Sequence, residues 1–316
     1  MNCLSRREFI IQSATAAGAL SLGADRLPAL EPAKPAEMAV ARWTGRKQLP
    51  AAELQKAAVR LTERAVAAMG GMGRFVSRGS VVWVKPNMAW DRTPEQAANT
   101  HPDVVKAIVE QCLAAGAKQV RVFDRTVNDA RRSYNNSGIL AAVESIKDPR
   151  AKCVFIDDKR FVPVKIVNGK SLDEFEFYQD ALESACDCYI NVPIAKHHQL
   201  SKLTLGLKNA MGVIGGNRGK IHKDLHQRIA DLNLVIRPGL TIVDATRILL
   251  RNGPSGGKLE DVKVLDTLIA SADPVAADAY ATTLFGMKPE QVGSTIAGAK
   301  LGLGQMDLTK IKLVDA

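Results

Sequence analysis

The chain has 316 residues, of which 46% are hydrophobic and 24% charged, and this balance is typical of a globular protein with a substantial core. Its formal net charge of +10 favours an anionic partner. Aromatic residues make up only 5% and no dense Lys/Arg block occurs, which argues against a nucleic acid partner bound by base stacking.

The N-terminal residues are typical of a twin-arginine export signal. Arg6 and Arg7 precede Phe9 and a mild apolar run over residues 10–22, which is too short and too rich in small residues to span a membrane permanently. An amphipathic N-terminal helix is the alternative. We expect the twin-arginine translocase to be a partner during export, a periplasmic or other extracytoplasmic location, and no stable membrane anchor.

Composition places the boundary between this signal and the folded domain. Residues 28–41 are rich in Pro and Ala and are interpreted as a linker. A cut after Ala41 fits the small-x-small pattern Ala-Val-Ala, and a cut nearer Gly23 is the alternative. We therefore expect a signal peptide and linker over residues 1–41 and a single α/β domain over residues 42–316.

The rest of the chain alternates apolar strands with helical stretches. Strands are predicted over residues 80–87, 118–124, 153–157, 188–193, 239–245 and 310–316. Helices are predicted over residues 102–115, 138–146, 172–185, 222–235, 275–285 and 289–301. Short Val- and Ile-rich strands separated by helices predict an α/β fold with a largely parallel, doubly wound sheet covered by helices on both faces.

Polar side chains follow several of the predicted strands. In open α/β sheets, ligands bind beyond the carboxyl ends of the strands, so polar groups at these ends are expected to share one crevice. A single Asp after a strand is often only a helix cap or turn former, but five such strand ends together favour a ligand site. The strand-end candidates are Lys85, Asn87, Asp124, Asp157, Asn191, Lys196 and Asp244.

The segment over residues 190–216 carries the densest set of such groups. Lys196 and His198 follow a predicted strand, and Lys208 and Asn209 follow an apolar run between glycines that allow close backbone approach. Such a loop suits a phosphate or a carboxylate, although a solvated lysine pair is the alternative. We predict catalytic roles for Lys196, His198 and Lys208, and a ligand-binding role for Asn209.

Histidines are concentrated next to this segment. His222 and His226 are spaced i, i+4 on a predicted helix, so that together with His198 they could hold a divalent metal. Lys223 stands where a zinc protease has Glu, which excludes that hydrolytic mechanism. An acid/base role and hydrogen-bonded structural roles are the alternatives for these imidazoles.

Cysteines indicate no cofactor. Beyond the signal the sequence contains Cys112, Cys153, Cys186 and Cys188, with no Cys-x-x-Cys run of the kind that binds zinc or an iron–sulfur cluster. We expect buried free thiols and no iron–sulfur cluster in this chain, and disulfide pairing in an oxidising compartment is the alternative.

Two carboxylates belong to the predicted helix over residues 275–285. Asp273 stands at its start before Pro274 and is interpreted as an N-cap. Asp278 lies inside an Ala-rich stretch and needs a partner, for which Lys85 or Lys208 is expected. Asp278 is therefore a further catalytic candidate.

Several motifs occur in order from about residue 80 onward. They are Val84-Lys85-Pro86-Asn87, Ile190-Asn191-x-Pro193, Lys196-x-His198, Leu205-Gly206-x-Lys208-Asn209-x-x-Gly212, Val243-Asp244 and Asp273-Pro274-Val275-Ala276-x-Asp278. In these motifs the chain resembles the family catalogued as domain of unknown function 362. The resemblance implies no settled activity. Some relatives carry an appended ferredoxin-like segment with iron–sulfur clusters, whose cysteines this chain lacks, and exported relatives with a twin-arginine leader form a subgroup.

Three functions follow from these patterns. The first is a metal-assisted or acid/base enzyme acting on a small anionic ligand, with lysines holding charge and Asp124, Asp244 and Asp278 orienting lysines or metal. The second is a non-catalytic periplasmic binder of an anion or metal. The third is a redox partner that holds a cofactor inserted before export.

Overall fold

The computed structural model of the chain describes residues 36–43, 56–182 and 185–316. The twin-arginine motif Arg6-Arg7-x-Phe9, the apolar run after it and the alternative cut near Gly23 lie outside the described residues. In the described ranges, no helix combines the length and the apolar character needed to cross a membrane.

The described residues form strands and helices that alternate along most of the chain. The strands are β1 (Met38–Arg42), β2 (Val81–Pro86), β3 (Gln119–Val122), β4 (Ala151–Cys153), β5 (Phe161–Lys165), β6 (Glu174–Tyr178), β7 (Cys188–Val192), β8 (Ile194–His198), β9 (Lys202–Thr204), β10 (Leu240–Leu249), β11 (Val262–Ser271) and β12 (Leu313–Asp315). The α-helices are α1 (Ala57–Ala68), α2 (Pro102–Ala114), α3 (Ala130–Asn136), α4 (Ile139–Glu144), α5 (Gly206–Asn209), α6 (Leu225–Leu232), α7 (Pro274–Thr283) and α8 (Gly293–Lys300).

One mixed sheet organises the fold, with the strand order β12-β1-β11-β10-β7-β2-β3-β4 and the β8–β9 hairpin attached to β10. The central pairs β10–β7, β7–β2, β2–β3 and β3–β4 are parallel. The long strand β11 runs antiparallel to both of its neighbours, β1 and β10. The predicted α/β class with a largely parallel sheet is therefore confirmed.

The two faces of the sheet are covered by different helices, because successive side chains of a strand point to opposite sides. Val82 and Val84 of β2 belong to the core that contains Leu61 of α1 and Ile108 of α2. Trp83, between them, belongs to the core on the other face, which includes residues of α6 and α7. Helices on both faces are thus confirmed.

The helix predicted over residues 172–185 is wrong. Residues Glu174–Tyr178 form β6, which pairs antiparallel with β5 in a separate two-stranded sheet. The sequence EFEFY alternates charged and aromatic residues, and this period of two places one aromatic set on the buried face of a strand. Phe177, at the centre of the core beneath this hairpin, is fully buried.

Other predicted elements are shifted or replaced. Residues 194–198, interpreted as an exit loop, form strand β8, and the helix expected from residue 222 begins at Leu225 after a 3-10 turn over Arg218–Asp224. The predicted strand over residues 153–157 lies earlier, at β4. Asp157, a strand-end candidate, accepts a hydrogen bond from the Lys159 amide and caps a short turn.

The expected boundary after Ala41 does not match the structure. Strand β1 lies between β11 and β12, and Met38, Ala39, Val40 and Ala41 are all buried. A cut after Ala41 would remove four of the five residues of this strand. The folded domain therefore includes residues that composition assigned to the linker.

We predict that the domain requires β1. A chain shortened to begin at Arg42 should lose about 3–6 kcal/mol of unfolding free energy, because burying one Val or Met side chain contributes about 1.5–3 kcal/mol and this chain lacks both Met38 and Val40. A chain shortened to begin at Pro35 retains the strand and is the matched control. Urea unfolding of both chains would contradict the prediction if their midpoints were equal.

Candidate functional site

A cavity of about 410 Å³ lies at the carboxyl ends of β2, β3 and β8. Its lining comes from these strand ends, from the short helix α5 and from the turn that precedes α6. The polar residues of the lining are Lys85, Asn87, Asp124, Arg125, Lys196, His198, Gln199, Thr204, Lys208, Asn209, Arg218 and His222. The predicted site residues Lys85, Asn87, Asp124, Lys196, His198, Lys208, Asn209 and His222 are thus brought to one cavity.

A buried ion pair lies at the floor of this cavity. Lys85 Nζ is 2.7 Å from Asp124 Oδ1, and both side chains are 1% exposed. The second carboxylate oxygen accepts a hydrogen bond from the Met88 amide at 2.8 Å. Burial lowers the pKa of Lys85 and raises the pKa of Asp124, and the attraction between the two charges opposes both shifts. The negative charge of Asp124 is therefore balanced within the protein by Lys85.

Glycine is required beside this pair. A Cβ atom on Gly212 would lie 1.8 Å from Asp124 Oδ1 and 2.5 Å from Lys85 Nζ. The segment that contains Gly212 therefore closes directly over the ion pair.

Three asparagines join the floor into one network. Asn209 Oδ1 accepts hydrogen bonds from Lys85 Nζ at 2.8 Å and from Asn87 Nδ2 at 3.2 Å. Its Nδ2 donates to Asn191 Oδ1 at 2.8 Å, and Asn191 Nδ2 in turn donates to the Gly206 carbonyl at 2.9 Å. Asn191 is not part of the cavity wall, and its role is to orient Asn209.

Lys196 is a buried lysine without a carboxylate partner among the described residues. Its Nζ donates to the Ala98 carbonyl at 2.5 Å and to Asn87 Oδ1 at 3.4 Å, and lies 5.9 Å from the centre of the Trp90 ring. Burial, followed by the charge of Lys208, holds its pKa well below the ordinary value. An ammonium group is costly to bury without a counter-charge, so burial favours the neutral amine form of Lys196.

Lys208 is a lysine of the site whose charge can change near physiological pH. It is half-buried, and its Nζ lies 3.3 Å from Met211 Sδ with no carboxylate beside it in the described ranges. Burial and then the nearby charges of Arg218 and Lys85 lower its pKa to about 8. At neutral pH Lys208 is thus mainly protonated and lacks a counter-ion.

His198 is a neutral hydrogen-bond donor. Its Nδ1 accepts hydrogen bonds from the backbone amides of Leu200 at 3.1 Å and Ser201 at 3.3 Å. This pattern assigns the ring proton to Nε2. Burial, then the charges of Lys208 and Lys196, lower the His198 pKa to about 3, so the ring stays neutral in the physiological range. It cannot accept a proton at Nδ1, and the predicted acid/base role does not suit it.

The predicted metal set of His198, His222 and His226 is wrong. His226 packs against Gly293, where an added Cβ would lie 2.6 Å from the imidazole Cγ, and it is absent from the cavity lining. The Nε2 proton of His198 prevents metal ligation through that nitrogen. Within the described ranges, no three or more His, Cys, Asp or Glu side chains are grouped so as to hold a metal ion.

Asp278 holds the start of α5 in place and does not line the cavity. Its carboxylate accepts hydrogen bonds from the amides of Gly206 at 2.6 Å and Leu207 at 3.0 Å, where α5 begins. The expected contact with Lys85 or Lys208 is therefore wrong, and the catalytic role of Asp278 stays a prediction for a residue outside the cavity lining. Burial raises the pKa of Asp278 to about 7, against the effect of these two hydrogen bonds.

Two further carboxylates have local structural roles. Asp244 accepts hydrogen bonds from the His101 amide at 2.7 Å and from both polar groups of Thr246, so it lies outside the cavity wall and anchors the start of α2. Asp273 accepts from the amides of Val275 and Ala276, both at 2.8 Å, as the predicted N-cap of α7.

The described cysteines do not fit a metal cluster. Cys112, Cys153, Cys186 and Cys188 are free thiols, and all but Cys153 are buried. Burial raises the pKa of Cys188 to about 11 and that of Cys153 and Cys186 to about 12, so these thiols are protonated. The prediction of free thiols is confirmed for these four residues.

Sequence reasoning missed several residues of the wall, among them Trp90, Arg125 and Arg218. Trp90 and Arg125 follow β2 and β3, and their position after strand ends could have revealed them. Arg218 gave no such signal, because it lies in a turn far from any strand end. Its guanidinium donates to the carbonyls of Arg125 at 2.9 Å and Thr126 at 2.8 Å, which holds it against the exit of β3.

The buried ion pair yields a stability prediction. Asp124→Asn should lower the unfolding free energy by about 3–5 kcal/mol, because it leaves Lys85 buried without its counter-charge. Adding Lys85→Met should recover part of this loss, which a double-mutant cycle in urea would measure as a strong coupling.

The exposed pair Lys258 and Glu260, 3.8 Å apart, is the matched control for this cycle. Lys258→Met with Glu260→Gln should couple by less than about 1 kcal/mol. Additive effects of the two substitutions at Lys85 and Asp124 would refute the role assigned to the buried pair.

Sequence and structure comparisons relate the chain to known proteins. A thylakoid-associated protein of Synechocystis sp. is 27% identical over 243 residues, which are 74% of this chain and 72% of that protein. A solved structure of a Thermotoga maritima protein aligns with a TM-score of 0.38 and 10% identity over 78% of this chain, which spans 59% of that protein. Residues 82–283, more than half of the chain, match the family described as Domain of unknown function (DUF362). The chain therefore belongs to the DUF362 family.

Proposed function

We propose that the cavity binds a small anionic ligand, a carboxylate or phosphate, and that the protein is an acid/base enzyme acting on it. One observation carries this proposal. The lining contains five lysines and arginines but a single carboxylate, Asp124, which is already paired with Lys85. Among the described residues, Lys208 and Arg218 have no carboxylate partner, whereas Arg125 lies 3.8 Å from Asp158.

The cationic side chains differ in what they can do for such a ligand. Lys208 has no carboxylate partner among the described residues, and Arg218, whose charge lowers the pKa of Lys208, lines the same cavity, so these two residues suit the anionic group. The Nε2 proton of His198 can donate a hydrogen bond to the same group. Burial of these groups away from bulk water strengthens each of these interactions, because charges attract more strongly at low dielectric.

Lys196 supplies the acid/base chemistry in this proposal. A general base needs a free electron pair and a pKa that leaves it unprotonated at the working pH. Lys196 suits both requirements, because burial lowers its pKa and favours the neutral amine with its free electron pair, and the residue lines the cavity. His198, with Nδ1 occupied by backbone amides, does not.

The anion site predicts a specific pH dependence. Sulfate is the probe, because its charge is constant between pH 6 and 10. Its affinity should fall by up to tenfold per pH unit above about pH 8, since free Lys208 loses its proton there. Lys208→Met should weaken sulfate binding at pH 6.5 by about tenfold or more and abolish this pH step.

Titration calorimetry at constant ionic strength measures both effects. Lys165→Met, which removes an exposed lysine of β5 outside the cavity, is the matched control and should leave sulfate affinity unchanged. Lys196→Met should have a small effect, because a neutral amine contributes no charge. Undetectable sulfate binding to the unaltered protein, or equal affinity in Lys208→Met, would disprove the anion site.

We further propose that the protein is exported by the twin-arginine translocase to an extracytoplasmic compartment. The support is the N-terminal motif Arg6-Arg7-x-Phe9 with its short apolar run. The translocase recognises paired guanidinium groups and not charge alone, because the two cations differ in shape and hydrogen bonding.

Replacing Arg6 and Arg7 together by Lys should therefore leave the protein in the cytosol, as cell fractionation would detect. Arg26→Lys, a substitution of the same kind outside the motif, should leave export intact. Export of the double variant at the normal level would rule out this route.

A further inference from the structure

We infer that the ligand is an organic anion with an apolar alkyl or aryl substituent, whose charged group lies on the cationic floor and whose apolar group packs at the mouth of the cavity. This inference rests on the proposed anion site and specifies its ligand class. The residues that carry it are Trp90, Val127, Leu200, Met211 and Pro254, which share the lining with the charged groups.

The size of the cavity is the first reason. Pockets of about 300–1,000 Å³ hold organic ligands, and the cavity of about 410 Å³ falls within this range. An inorganic anion held by Lys208 and Arg218 would leave much of this volume unfilled. The remaining space is available to a substituent on the anion.

The distribution of side chains by depth is the second reason. Lys85 and Lys196 are 1% exposed and form the floor, and the cations assigned to the ligand, Lys208 and Arg218, are partly buried. Val127 is 55% exposed and Leu200 60% exposed, although both line the same cavity. Exposed apolar side chains thus lie at the mouth, beside the exposed polar residues Gln199 and His222, and the cations lie deeper. This arrangement matches an amphiphilic ligand that enters with its charged end first.

The apolar mouth is held in place by the backbone. The Val127 amide donates to the Ala89 carbonyl at 2.8 Å, and the Leu200 amide donates to His198 Nδ1 at 3.1 Å. Asn99 brackets Trp90, because it accepts from the Trp90 amide at 3.1 Å and donates to the Trp90 carbonyl at 2.8 Å. A ligand thus meets apolar groups that are already ordered, which limits the entropy lost on binding.

Covering the water-exposed apolar side chains at the mouth of the cavity lowers the free energy, because it removes apolar surface from water. Each methylene group that becomes fully buried tightens binding by about fourfold. If another protein covered the mouth instead, it would have to place an anionic side chain on the floor of the cavity to pair with Lys208. A small amphiphilic anion satisfies both parts of the cavity at once, and we therefore assign it as the occupant.

A series of phosphate monoesters tests this assignment. Titration calorimetry at one pH and ionic strength compares inorganic phosphate with methyl, butyl, hexyl and phenyl phosphate. We expect affinity to rise by about two- to fourfold per methylene from methyl to butyl phosphate, because the alkyl chain covers Val127 and Leu200. Phenyl phosphate then shows whether Trp90 favours an aryl group over an alkyl chain of similar size.

Two variants assign this gain to the mouth. Leu200→Ser combined with Val127→Thr should reduce the gain per methylene to less than half and leave the affinity for inorganic phosphate unchanged. Leu259→Ser is the matched control, because Leu259 is 61% exposed and lies outside the cavity lining. It should retain the full gain of the unaltered protein.

The outcomes separate this inference from the proposed function. If no phosphate binds, the anion site itself fails. If inorganic and hexyl phosphate bind with equal affinity, the anion site stands and the inference of an apolar substituent is overturned. A gain per methylene that persists in the Leu200→Ser and Val127→Thr variant would also overturn it, because the mouth would then not be the contact.

Discussion

The buried ion pair between Lys85 and Asp124 is the interaction on which the site depends. It joins the end of β2 to the exit of β3, and through Asn209 it fixes the short helix α5 over both strands. Its electrostatic effect is as important as its geometry. Because Asp124 is the only carboxylate of the lining in the part of the chain that the structure describes, and Lys85 neutralises it, the charges of Lys208 and Arg218 remain available to a ligand.

Several carboxylates and amides of this protein position backbone and do not act in the cavity. Asp278 holds the first amides of α5, and Asp244 holds the start of α2, while Asn191 orients Asn209. Such groups satisfy buried N–H donors that would otherwise cost free energy. The result is a cationic pocket whose walls are fixed before the ligand arrives, as a preorganised site requires.

Hydrophobic periodicity correctly predicted the strands and helices that each coincide with one continuous apolar run. The strands at Val81–Pro86 and Cys188–Val192 and the helix at Pro102–Ala114 were predicted within one or two residues, because burial on both faces leaves a continuous apolar signal. Strand β1 was missed because its sequence MAVAR follows a Pro- and Ala-rich stretch. Its Ala-Val-Ala segment also resembles a signal-cleavage site. Its identity as a strand depends on the partners β11 and β12, which lie more than 200 residues away.

The sequence by itself determined the chemistry of the site: lysines, amides and one imidazole at the exits of parallel strands, in a basic chain that favours an anion. It could not determine which of these groups pair with one another. Asp124 meets Lys85, whereas Asp278 meets only backbone amides, and both contacts join segments far apart in the chain. Tertiary structure alone decided that Lys196 is buried without a counter-charge and that His198 is a neutral donor. A side chain's charge state depends on its solvation and its neighbours in space, and neither is encoded in its local sequence.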